Sequence, residues 1–197
     1  MRRRLLGLGG IAFGVGLVVA VAAATSAAAG SGHSRRLAPA EIPAACWAAA
    51  ADGSYENFDA SVELLESCTT DDYSFAVVNP ALGEIVCFRE EGFCPLANPE
   101  LSNAAVRLSG FAAGAARGEI GSRHQVSNLI VESRSSRRAV VRFRTTAYYF
   151  NEDGSFEIGW GDHTLELVKE NRRWKILNED VFIPFPNQRL VAEHAAD

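Results

Sequence analysis

Two histidines stand in stretches where polar and apolar residues alternate, which is the pattern of a half-buried β-strand. His124, Val126 and Asn128 occupy every second position of one stretch, and His163 and Leu165 do so in another. Successive side chains of a strand point to opposite faces, so we expect both histidines to face the interior of a sheet with these neighbours. Imidazole titrates near neutral pH and can pass a proton inside a pocket. Dehydration and enolisation both need such a group.

The strand predicted between the two histidines supplies a further candidate and part of a pocket wall. Phe143, Thr145 and Tyr149 share one of its faces, whereas Arg142 and Arg144 occupy the other. Charged side chains prefer water, so the first set is predicted to face inward. Tyr149 would then lie beside both histidines, where it could assist a proton transfer. The predicted ligand pocket is lined by Asn128, Val126, Phe143, Thr145 and Leu165.

Each candidate also has a purely structural interpretation. A histidine that faces a sheet interior is more often a hydrogen-bonded structural group than a catalyst, so His124 and His163 could serve the fold alone. Tyr149 could equally be a pocket wall. Asp180 alternates with Ile176 and could enter the interior from the last strand, but a solvated strand end is the preferred interpretation.

Short turns separate the strands that must position these side chains. Strands are predicted at 124–131, 138–150, 156–168 and 174–177. The segments between them are short and rich in turn-forming Ser, Asn, Asp and Gly. Connections of this length force neighbouring strands to be antiparallel, so the C-terminal half is predicted to be a meander whose inner face needs a cover.

The upstream half is predicted to supply that cover. Helices are predicted at 42–51, 58–68 and 98–117, with a hairpin of strands at 73–78 and 84–89 between the second and third helices. The second helix carries its apolar residues on one stripe, which is typical of a helix that packs on a core. The order of elements predicts an α+β fold in which N-terminal helices pack on a curved, mostly antiparallel sheet.

The first 29 residues have the pattern of a signal peptide. Three arginines precede an apolar stretch rich in Gly and Ala, and the alanines at 27–29 fit the small-residue rule for cleavage. Residues 5–24 lack charge and are long enough to span a bilayer, so a retained membrane anchor is the alternative. Both interpretations predict an exported domain, periplasmic or extracellular. A flexible linker is expected at 30–40, the folded domain at 41–185 and a C-terminal tail at 186–197.

The charge of the chain argues against two classes of partner. The formal charge is −5, and loss of the three arginines of the signal segment would leave −8. Nucleic acids and anionic membranes need a concentrated positive field. The sequence therefore predicts no nucleic-acid partner and no membrane contact except through residues 5–24, if they are retained. No cofactor is predicted.

Four cysteines, Cys46, Cys68, Cys87 and Cys94, gain significance from the predicted export. Exported domains keep disulfides, and four cysteines allow three pairings. A bridge between Cys87 and Cys94 would close a short loop, and one between Cys46 and Cys68 would join the first two predicted helices. Free buried thiols are the alternative. The spacings do not suit zinc, which needs cysteines about two to four residues apart, so no metal is predicted.

The order of elements and the sequence around both histidines resemble the SnoaL-like branch of the nuclear-transport-factor-2-like superfamily. The motifs that carry the resemblance are Arg-His-Gln-Val-Ser-Asn at 123–128, the strand at 139–148, Gly161 and Trp-Lys-Ile at 174–176. The resemblance implies the cone fold of this superfamily. Members include dehydratases, isomerases, polyketide cyclases, small subunits of ring-hydroxylating dioxygenases and domains that only bind or dimerise. Fold alone does not settle function.

The resemblance also implies a role for His124. In dehydratase-like members, the histidine of the Arg-His-x-x-x-Asn motif points into the cone as a general acid/base. Where the family often has Gly-x-Tyr-x-Asp, this chain has Gly-Asp-His-Thr-Leu at 161–165, so His163 replaces the aromatic residue and Leu165 the carboxylate. No Tyr or Asp motif is evident in the first helix, where residues 45–51 are almost all alanine. The acid/base set is therefore incomplete.

Two functions from different classes are compatible with these observations. The incomplete acid/base set favours an exported, non-catalytic binding or assembly domain with a pocket for a small apolar ligand. The alternative is a lyase or isomerase of the dehydratase type that uses His124 as general acid/base, with His163 or Tyr149 assisting. A homodimer is also predicted, through the outer sheet face that carries Arg142 and Arg144.

Overall fold

The computed structural model describes residues 36–79, 83–87 and 101–184, with side chains in the first and last of these ranges. All of them belong to one compact unit, Arg35–Asp197. The predicted signal segment, most of the predicted linker, the predicted loop around Cys94 and the whole predicted tail lie outside the described residues. Within the described ranges, no helix has the length and apolar composition needed to cross a membrane.

A helical region precedes the sheet and covers its inner face. It opens with a 3₁₀ turn, Pro39–Glu41, continues as a π-helical turn, Pro43–Ala48, and ends as helix α1, Ala49–Gly53. A proline begins each of the first two turns, where no backbone N–H is needed for a helical hydrogen bond. Helix α2 spans Phe58–Cys68, as predicted, and the Asn57 side chain caps it by accepting a backbone N–H of the first turn.

Helix α3 spans Asn103–Ala115, a later start than the sequence predicts. The Ser102 hydroxyl accepts a hydrogen bond from the Ala105 backbone N–H, so a serine cap sets the boundary. The predicted start near residue 98 rested on an Asn-Pro pair that lies outside the described residues. Gly118 follows the helix with φ of 90°, a conformation that glycine adopts without strain, and the chain turns there into the next strand.

Six strands of the described residues form one sheet. They are β1 Thr69–Asn79, β2 Gly83–Cys87, β3 Glu119–Arg134, β4 Arg138–Asn151, β5 Phe156–Glu170 and β6 Arg173–Phe182. Their order across the sheet is β2-β1-β6-β5-β4-β3. Every neighbouring pair is antiparallel except β1 with β6, which is parallel. The predicted α+β fold, with N-terminal helices on a mostly antiparallel sheet, is confirmed.

Strand β4 shows why the inner face is apolar. Its alternate residues from Ala139 to Ala147 are buried, whereas Arg142 and Arg144 are exposed on the opposite face, as alternation predicts. The inner residues pack with Ile42, Trp47 and other helical side chains in a single core. Burial of such side chains stabilises the fold by roughly 1.5–3 kcal/mol each. The helices are therefore held against the face on which both histidines were expected.

A bulge in β3 reverses its alternation. The pairing of β3 with β4 shifts between Ser127 and Ile130, and Asn128 has φ of 50°. Asn128 and Ile130 are exposed. The expectation that Asn128 faces inward beside His124 is therefore wrong, because an extra residue in a strand moves the following side chains to the other face.

A second irregularity lies in β6. Leu167 pairs with Ile176, whereas the preceding Glu166 pairs with Asn178, so β6 holds one unpaired residue between these positions. The face of the following residues is reversed. As a result Glu179 is fully buried and Asp180 is exposed, which agrees with the preferred interpretation of Asp180 as a solvated residue.

Candidate active site

A carboxylate and an imidazole meet between α1 and β3. Oδ1 of Asp52 lies 2.7 Å from Nδ1 of His124. Oδ2 of Asp52 accepts the backbone N–H of His124 at 3.1 Å, and the Ser122 hydroxyl donates to Oδ1 at 3.0 Å. One carboxylate therefore fixes both the imidazole ring and the strand that carries it.

The contacts of Asp52 determine which nitrogen of His124 can act. An ionised carboxylate only accepts hydrogen bonds, so Nδ1 of the neutral ring carries the proton. Nε2 then keeps its lone pair. An imidazole in this tautomer, held by a carboxylate, is arranged to take a proton from a ligand.

Aromatic rings enclose the His124 ring. The centroids of Trp47 and Phe111 each lie 5.2 Å from it, and that of Tyr149 lies 6.0 Å away, all in edge-on orientations. The His124 side chain is 2% exposed. A dry, apolar surround strengthens the electrostatic interactions of any group inside it.

A second buried cluster surrounds Glu179 on β6. Arg107 on α3 donates from Nη2 to Oε1 at 2.9 Å and from Nε to Oε2 at 3.2 Å. The Tyr73 hydroxyl donates to Oε2 at 2.7 Å. Nδ1 of His163 lies 3.4 Å from Oε1, too long and poorly aligned for a regular hydrogen bond, and we interpret it as an electrostatic contact.

The charges in this cluster follow from burial and pairing. Burial alone would raise the pKa of Glu179, but the Arg107 guanidinium and the hydrogen bonds to the carboxylate outweigh burial and lower this pKa to about 2. Burial would lower the pKa of Arg107, yet Glu179 raises it. Burial, and then the charge of Glu179, raise the pKa of Tyr73 well above its usual value. The cluster is thus an ionised pair with a neutral phenol.

His163 is held between this cluster and β4. Burial lowers the pKa of His163, although Glu179 opposes the effect, so the ring is neutral at pH 7. Its Nε2 lies 3.0 Å from Oγ1 of Thr145. Since Glu179 only accepts, Nδ1 carries the proton and Nε2 accepts from the threonine hydroxyl. Phe143 stacks on the ring at 4.7 Å, and the edge of Trp47 lies 4.4 Å away.

A third polar cluster joins α1, α3 and β3. The Tyr55 hydroxyl donates to Oε2 of Glu119 at 2.6 Å, and Arg117 donates to Oε1 at 2.9 Å. Burial raises the pKa of Tyr55, and the hydrogen bond to Glu119 raises it further. Glu119 is buried, whereas the Arg117 side chain is half exposed. This cluster therefore ties the end of the helical cover to the sheet.

All three clusters border one cavity of about 400 Å³ between the helices and the inner face of the sheet. Its polar lining comprises Tyr55, Asn79, Arg107, Arg117, Glu119, His124, Thr145, Tyr149, Glu157 and His163. Trp47, Phe111 and Ala147 contribute apolar surface. The volume suits a small organic molecule, and a mostly apolar wall with a few convergent polar groups is typical of a ligand site.

The cavity brings together only some of the residues predicted for it. Those that line it are His124, His163, Thr145 and Tyr149. Phe143 and Leu165 are buried in the core behind it, and Val126 packs against that core. Asn128 instead lines a separate groove of about 650 Å³ on the outer face of the sheet. His124 and Tyr149 do not line this larger groove, whereas His163 and Phe143 contribute to it.

Sequence reasoning missed several ionisable residues of the cavity and its clusters, among them Asp52, Arg107, Glu119 and Glu179. Asp52 directly follows an alanine-rich helical stretch and is the first ionisable residue after it, which was an available signal. It was interpreted only as part of the end of the predicted helix. Arg107 stands between Val106 and Leu108, so its position within an apolar stretch of α3 was an available signal. Glu119 precedes the predicted strand. Glu179 gave no signal, because the irregularity in β6 determines its face.

A disulfide joins the helical cover to α2. Cys46 and Cys68 are bonded, with their Cα atoms 6.1 Å apart. Cys46 precedes Trp47, whose ring contacts both histidines, so the bridge restrains the segment that walls the cavity. The second predicted bridge, between Cys87 and Cys94, involves side chains outside the described residues. Among the side chains described, no group of three or more His, Cys, Asp or Glu residues is arranged to hold a metal ion.

Comparisons with known proteins support the fold. No protein-family model matches the sequence, and no curated protein matches it. The β subunit of benzoate 1,2-dioxygenase from Burkholderia mallei is 14% identical, with a TM-score of 0.52 over 76% of this chain and 92% of that chain. A Novosphingobium aromaticivorans protein, named for a proposed aromatic ring hydroxylase, is 17% identical with a TM-score of 0.50, over 76% of this chain and 94% of that chain.

A third structure is similar over a smaller share of this chain. An NTF2-like protein with a cystatin-like fold, also from Novosphingobium aromaticivorans, is 14% identical, with a TM-score of 0.47 over 69% of this chain and 76% of that chain. At these identities the similarity concerns architecture and not chemistry. Helices on the inner face of a mostly antiparallel sheet, with a cavity between them, give this chain the nuclear-transport-factor-2-like cone fold.

Proposed function

We propose that this chain is an exported lyase or isomerase of the dehydratase type, in which His124 is the general base. The observation that carries the proposal is the 2.7 Å contact between Asp52 and Nδ1 of His124 in the wall of a cavity. Asp52 supplies a carboxylate for the acid/base set, in which Leu165 replaces the aspartate of the family motif. The incomplete acid/base set was the reason to prefer a non-catalytic domain, so this contact reverses the preference.

The proposed reaction begins with proton abstraction. Nε2 of His124 takes a proton from a carbon of the bound substrate, and Asp52 stabilises the imidazolium that forms. In a dehydration, the imidazolium then returns the proton to a departing hydroxyl group, which leaves as water. In an isomerisation, it returns the proton to another carbon. A positioned acid/base group of this kind contributes roughly 10²–10⁴-fold to a rate.

Tyr149 is proposed to donate a hydrogen bond to the substrate. Its pKa is raised to about 12, chiefly by burial and then by the charge of Glu119, so the hydroxyl keeps its proton at neutral pH. It lines the same cavity as His124. His163 is proposed to be part of the wall rather than a second base, because both of its ring nitrogens face groups of the protein.

Export is part of the proposal and rests on two independent features. The N-terminal 29 residues have the pattern of a signal peptide, with a retained anchor at 5–24 as the alternative. The Cys46–Cys68 disulfide suits an oxidising compartment outside the cytoplasm.

A binding or assembly domain is the second candidate function. The groove on the outer sheet face favours it, since a surface of that size is available to a partner. A non-catalytic domain would hold a small apolar ligand in the inner cavity without turning it over. Ligand binding alone therefore does not separate the two candidates, whereas turnover does.

The test combines binding with turnover. The chain from Gly30 onward is screened by thermal shift against small uncharged carbonyl and hydroxyl compounds, because a ligand of the native state raises the melting temperature. Compounds that bind are then incubated with the protein, and the release of an unsaturated or isomerised product is followed by absorbance and NMR.

His124→Ala and Gln125→Ala are compared in both assays. Gln125 is the exposed neighbour on β3, so its truncation is a matched control. The enzyme proposal expects turnover in the wild type and in Gln125→Ala, and none in His124→Ala. Binding without turnover in all three proteins would support the binding domain instead.

A further inference from the structure

A buried arginine lines the same cavity as His124. The Arg107 side chain is 9% exposed, and its Nε and Nη2 both donate to Glu179. No described residue accepts a hydrogen bond from its third nitrogen, Nη1. The guanidinium therefore reaches the cavity with one nitrogen that Glu179 does not use.

Arg107 and His124 share two aromatic neighbours. The guanidinium carbon lies 5.3 Å from the ring centre of Trp47 and 5.4 Å from that of Phe111. The same two rings each lie 5.2 Å from the His124 ring. The cation and the proposed base thus contact the same two rings, and both line the cavity that would hold a small substrate. Contact with aromatic faces also holds the guanidinium in place.

The charge balance decides which oxygen Arg107 suits. Glu179, whose pKa is lowered to about 2, already neutralises Arg107, and Asp52 and Glu119 add carboxylates near the cavity. A ligand carboxylate would bring one more buried negative charge, which is costly. A carbonyl oxygen brings none at first and gains charge only as the reaction proceeds. A fixed donor then stabilises the transition state more than the bound substrate.

We propose that Arg107 stabilises the oxyanion in this cavity, and that the substrates are uncharged β-hydroxy carbonyl compounds rather than carboxylates. The proposal rests on His124 as the base. Nε2 of His124 takes the proton next to the carbonyl, the C–H electron pair forms a C=C bond, and the carbonyl π pair moves to the oxygen beside Arg107. The enolate then collapses, the C–O bond to the β-hydroxyl breaks, and His124 returns the proton. The products are an α,β-unsaturated carbonyl compound and water.

The probe is 4-nitrophenol, which is uncharged at low pH, carries its charge on one oxygen when ionised, and changes colour on ionisation. Its ionisation is titrated in the presence of the wild type, His124→Ala, and the double variant Arg107→Gln/Glu179→Gln. The double substitution removes both charges together and leaves neither buried alone. The exposed pair Arg144 and Asp162, on the outer face, provides the matched control as Arg144→Gln/Asp162→Asn.

The expected result is an ionisation constant of bound 4-nitrophenol about tenfold higher in the wild type than in Arg107→Gln/Glu179→Gln, because the phenol oxygen gains its charge beside the guanidinium. His124→Ala and the surface control keep the wild-type constant. At a pH low enough to keep 4-nitrophenol uncharged, the wild type is also expected to bind ionised 4-nitrobenzoate at least about tenfold more weakly than 4-nitrophenol, because the carboxylate brings a full charge into the cavity from water.

Three results would overturn the proposal: an undiminished ionisation constant in the folded double variant, equal or tighter binding of 4-nitrobenzoate, or no binding of 4-nitrophenol at millimolar concentration. If the double variant does not fold, the comparison of the two ligands on the wild type still decides. If the wild type shows the expected ionisation constant of 4-nitrophenol but turns over no β-hydroxy carbonyl compound, the role of His124 is contradicted and that of Arg107 is not. Turnover with equal ionisation constants in the wild type and the double variant would contradict only the role of Arg107.

Discussion

At the scale of single residues, the site depends on how Asp52 is held. Its carboxylate accepts from the ring of His124, from the backbone of the same residue and from Ser122. Three donors on one strand leave the carboxylate little freedom to turn, so the imidazole keeps a fixed orientation. Removal of one donor should therefore change catalysis more than stability.

The buried His163 and Glu179 predict how stability depends on pH. The folded-state pKa of His163 lies below the usual 6.5, so below pH 6.5 the unfolded chain binds a proton that the folded chain does not. Stability contributed by this group is present above pH 6.5 and is lost as the pH falls. Glu179, with a usual pKa of 4.5 and about 2 when folded, adds a second loss between those values. The slope is at most about 1.4 kcal/mol per pH unit for one proton.

Urea unfolding of the wild type and His163→Gln from pH 7.5 to 3 measures both effects. The two proteins should diverge as the pH falls below 6.5, where the stability of the wild type falls more steeply. Coincident slopes below that pH would mean that the burial of His163 does not disfavour its charged form.

Alternation alone was sufficient to predict the inward face of His124, His163, Thr145 and Tyr149, since each lies in a regular part of its strand. It was not sufficient for Asn128 or Glu179, because a bulge precedes each of them. The bulge positions depend on how strands pair, which a single strand does not reveal. Asp52 could not be matched to His124 because the two lie far apart in the chain and meet only through packing.

At the scale of secondary-structure elements, α3 contains two glycines with opposite roles. A Cβ atom at Gly114 would overlap the Glu119 carboxylate and lie 2.8 Å from the Tyr55 hydroxyl, whereas one at Gly110 would meet nothing within 4 Å. Gly114→Ala should lower the free energy of unfolding by about 1–3 kcal/mol. Gly110→Ala should raise it by roughly 0.5–1 kcal/mol, because alanine favours a helix interior.

Chemical denaturation of the two glycine variants checks this contrast. Both substitutions add one methyl group to the same helix, so each serves as the control of the other. Equal effects would show that the close approach of α3 to Glu119 does not require glycine.

The disulfide predicts a second effect at this scale. Cys46→Ala/Cys68→Ala should lower the free energy of unfolding by roughly 2–4 kcal/mol, because the bridge limits the unfolded chain across a separation of 22 residues. The double substitution should also weaken the near-ultraviolet circular dichroism that Trp47 contributes. Thermal unfolding with and without a reductant measures the effect. A reductant should destabilise the wild type more than the double variant, and equal responses would count against a structural bridge.

The bounds of α2 could be predicted from local sequence, because its apolar stripe runs from Phe58 to Cys68 and the capping residue Asn57 directly precedes it. Strands β1, β3 and β6 are longer than predicted at both ends, whereas β4 and β5 begin where predicted and extend only at their C-terminal ends. Residues such as those at 119–123 carry no alternation of their own, and they become strand because they pair with β4. The start of α3 was misplaced because Asn-Pro and Ser-Asn both resemble helix starts.

At the scale of the whole molecule, the antiparallel pairing of β3, β4, β5 and β6 follows from the short turns between them. Turn lengths do not determine that β3 lies at one edge of the sheet and β2 at the other. The parallel pairing of β1 with β6 could not be read from local pattern, because nothing in either strand specifies a partner so distant in the chain. The resemblance to the nuclear-transport-factor-2-like superfamily predicted only that the sheet is mostly antiparallel. Membership of its SnoaL-like branch stays a prediction.

Homodimerisation through the outer sheet face also stays a prediction. Arg142 and Arg144 on this face pair with Glu132 and Asp162, so the face is electrically balanced and can approach a copy of itself. Light scattering at micromolar concentration should give a mass about twice that of the chain. Arg144→Glu, which places two negative charges side by side, should shift the protein to the monomer, whereas Arg137→Glu in an exposed turn should not. A monomeric wild type would contradict the prediction.

The most direct test of the central claim is the exchange of carbon-bound protons, because it requires no knowledge of the natural substrate. Small β-hydroxy ketones and simple ketones are incubated with the protein in deuterated water, and loss of the proton next to the carbonyl is followed by NMR. The account predicts that the wild type accelerates exchange of at least one compound, that His124→Ala abolishes the acceleration, and that Asp52→Asn lowers it by roughly 100-fold. Equal exchange in the wild type and His124→Ala would contradict the assignment of His124 as the base.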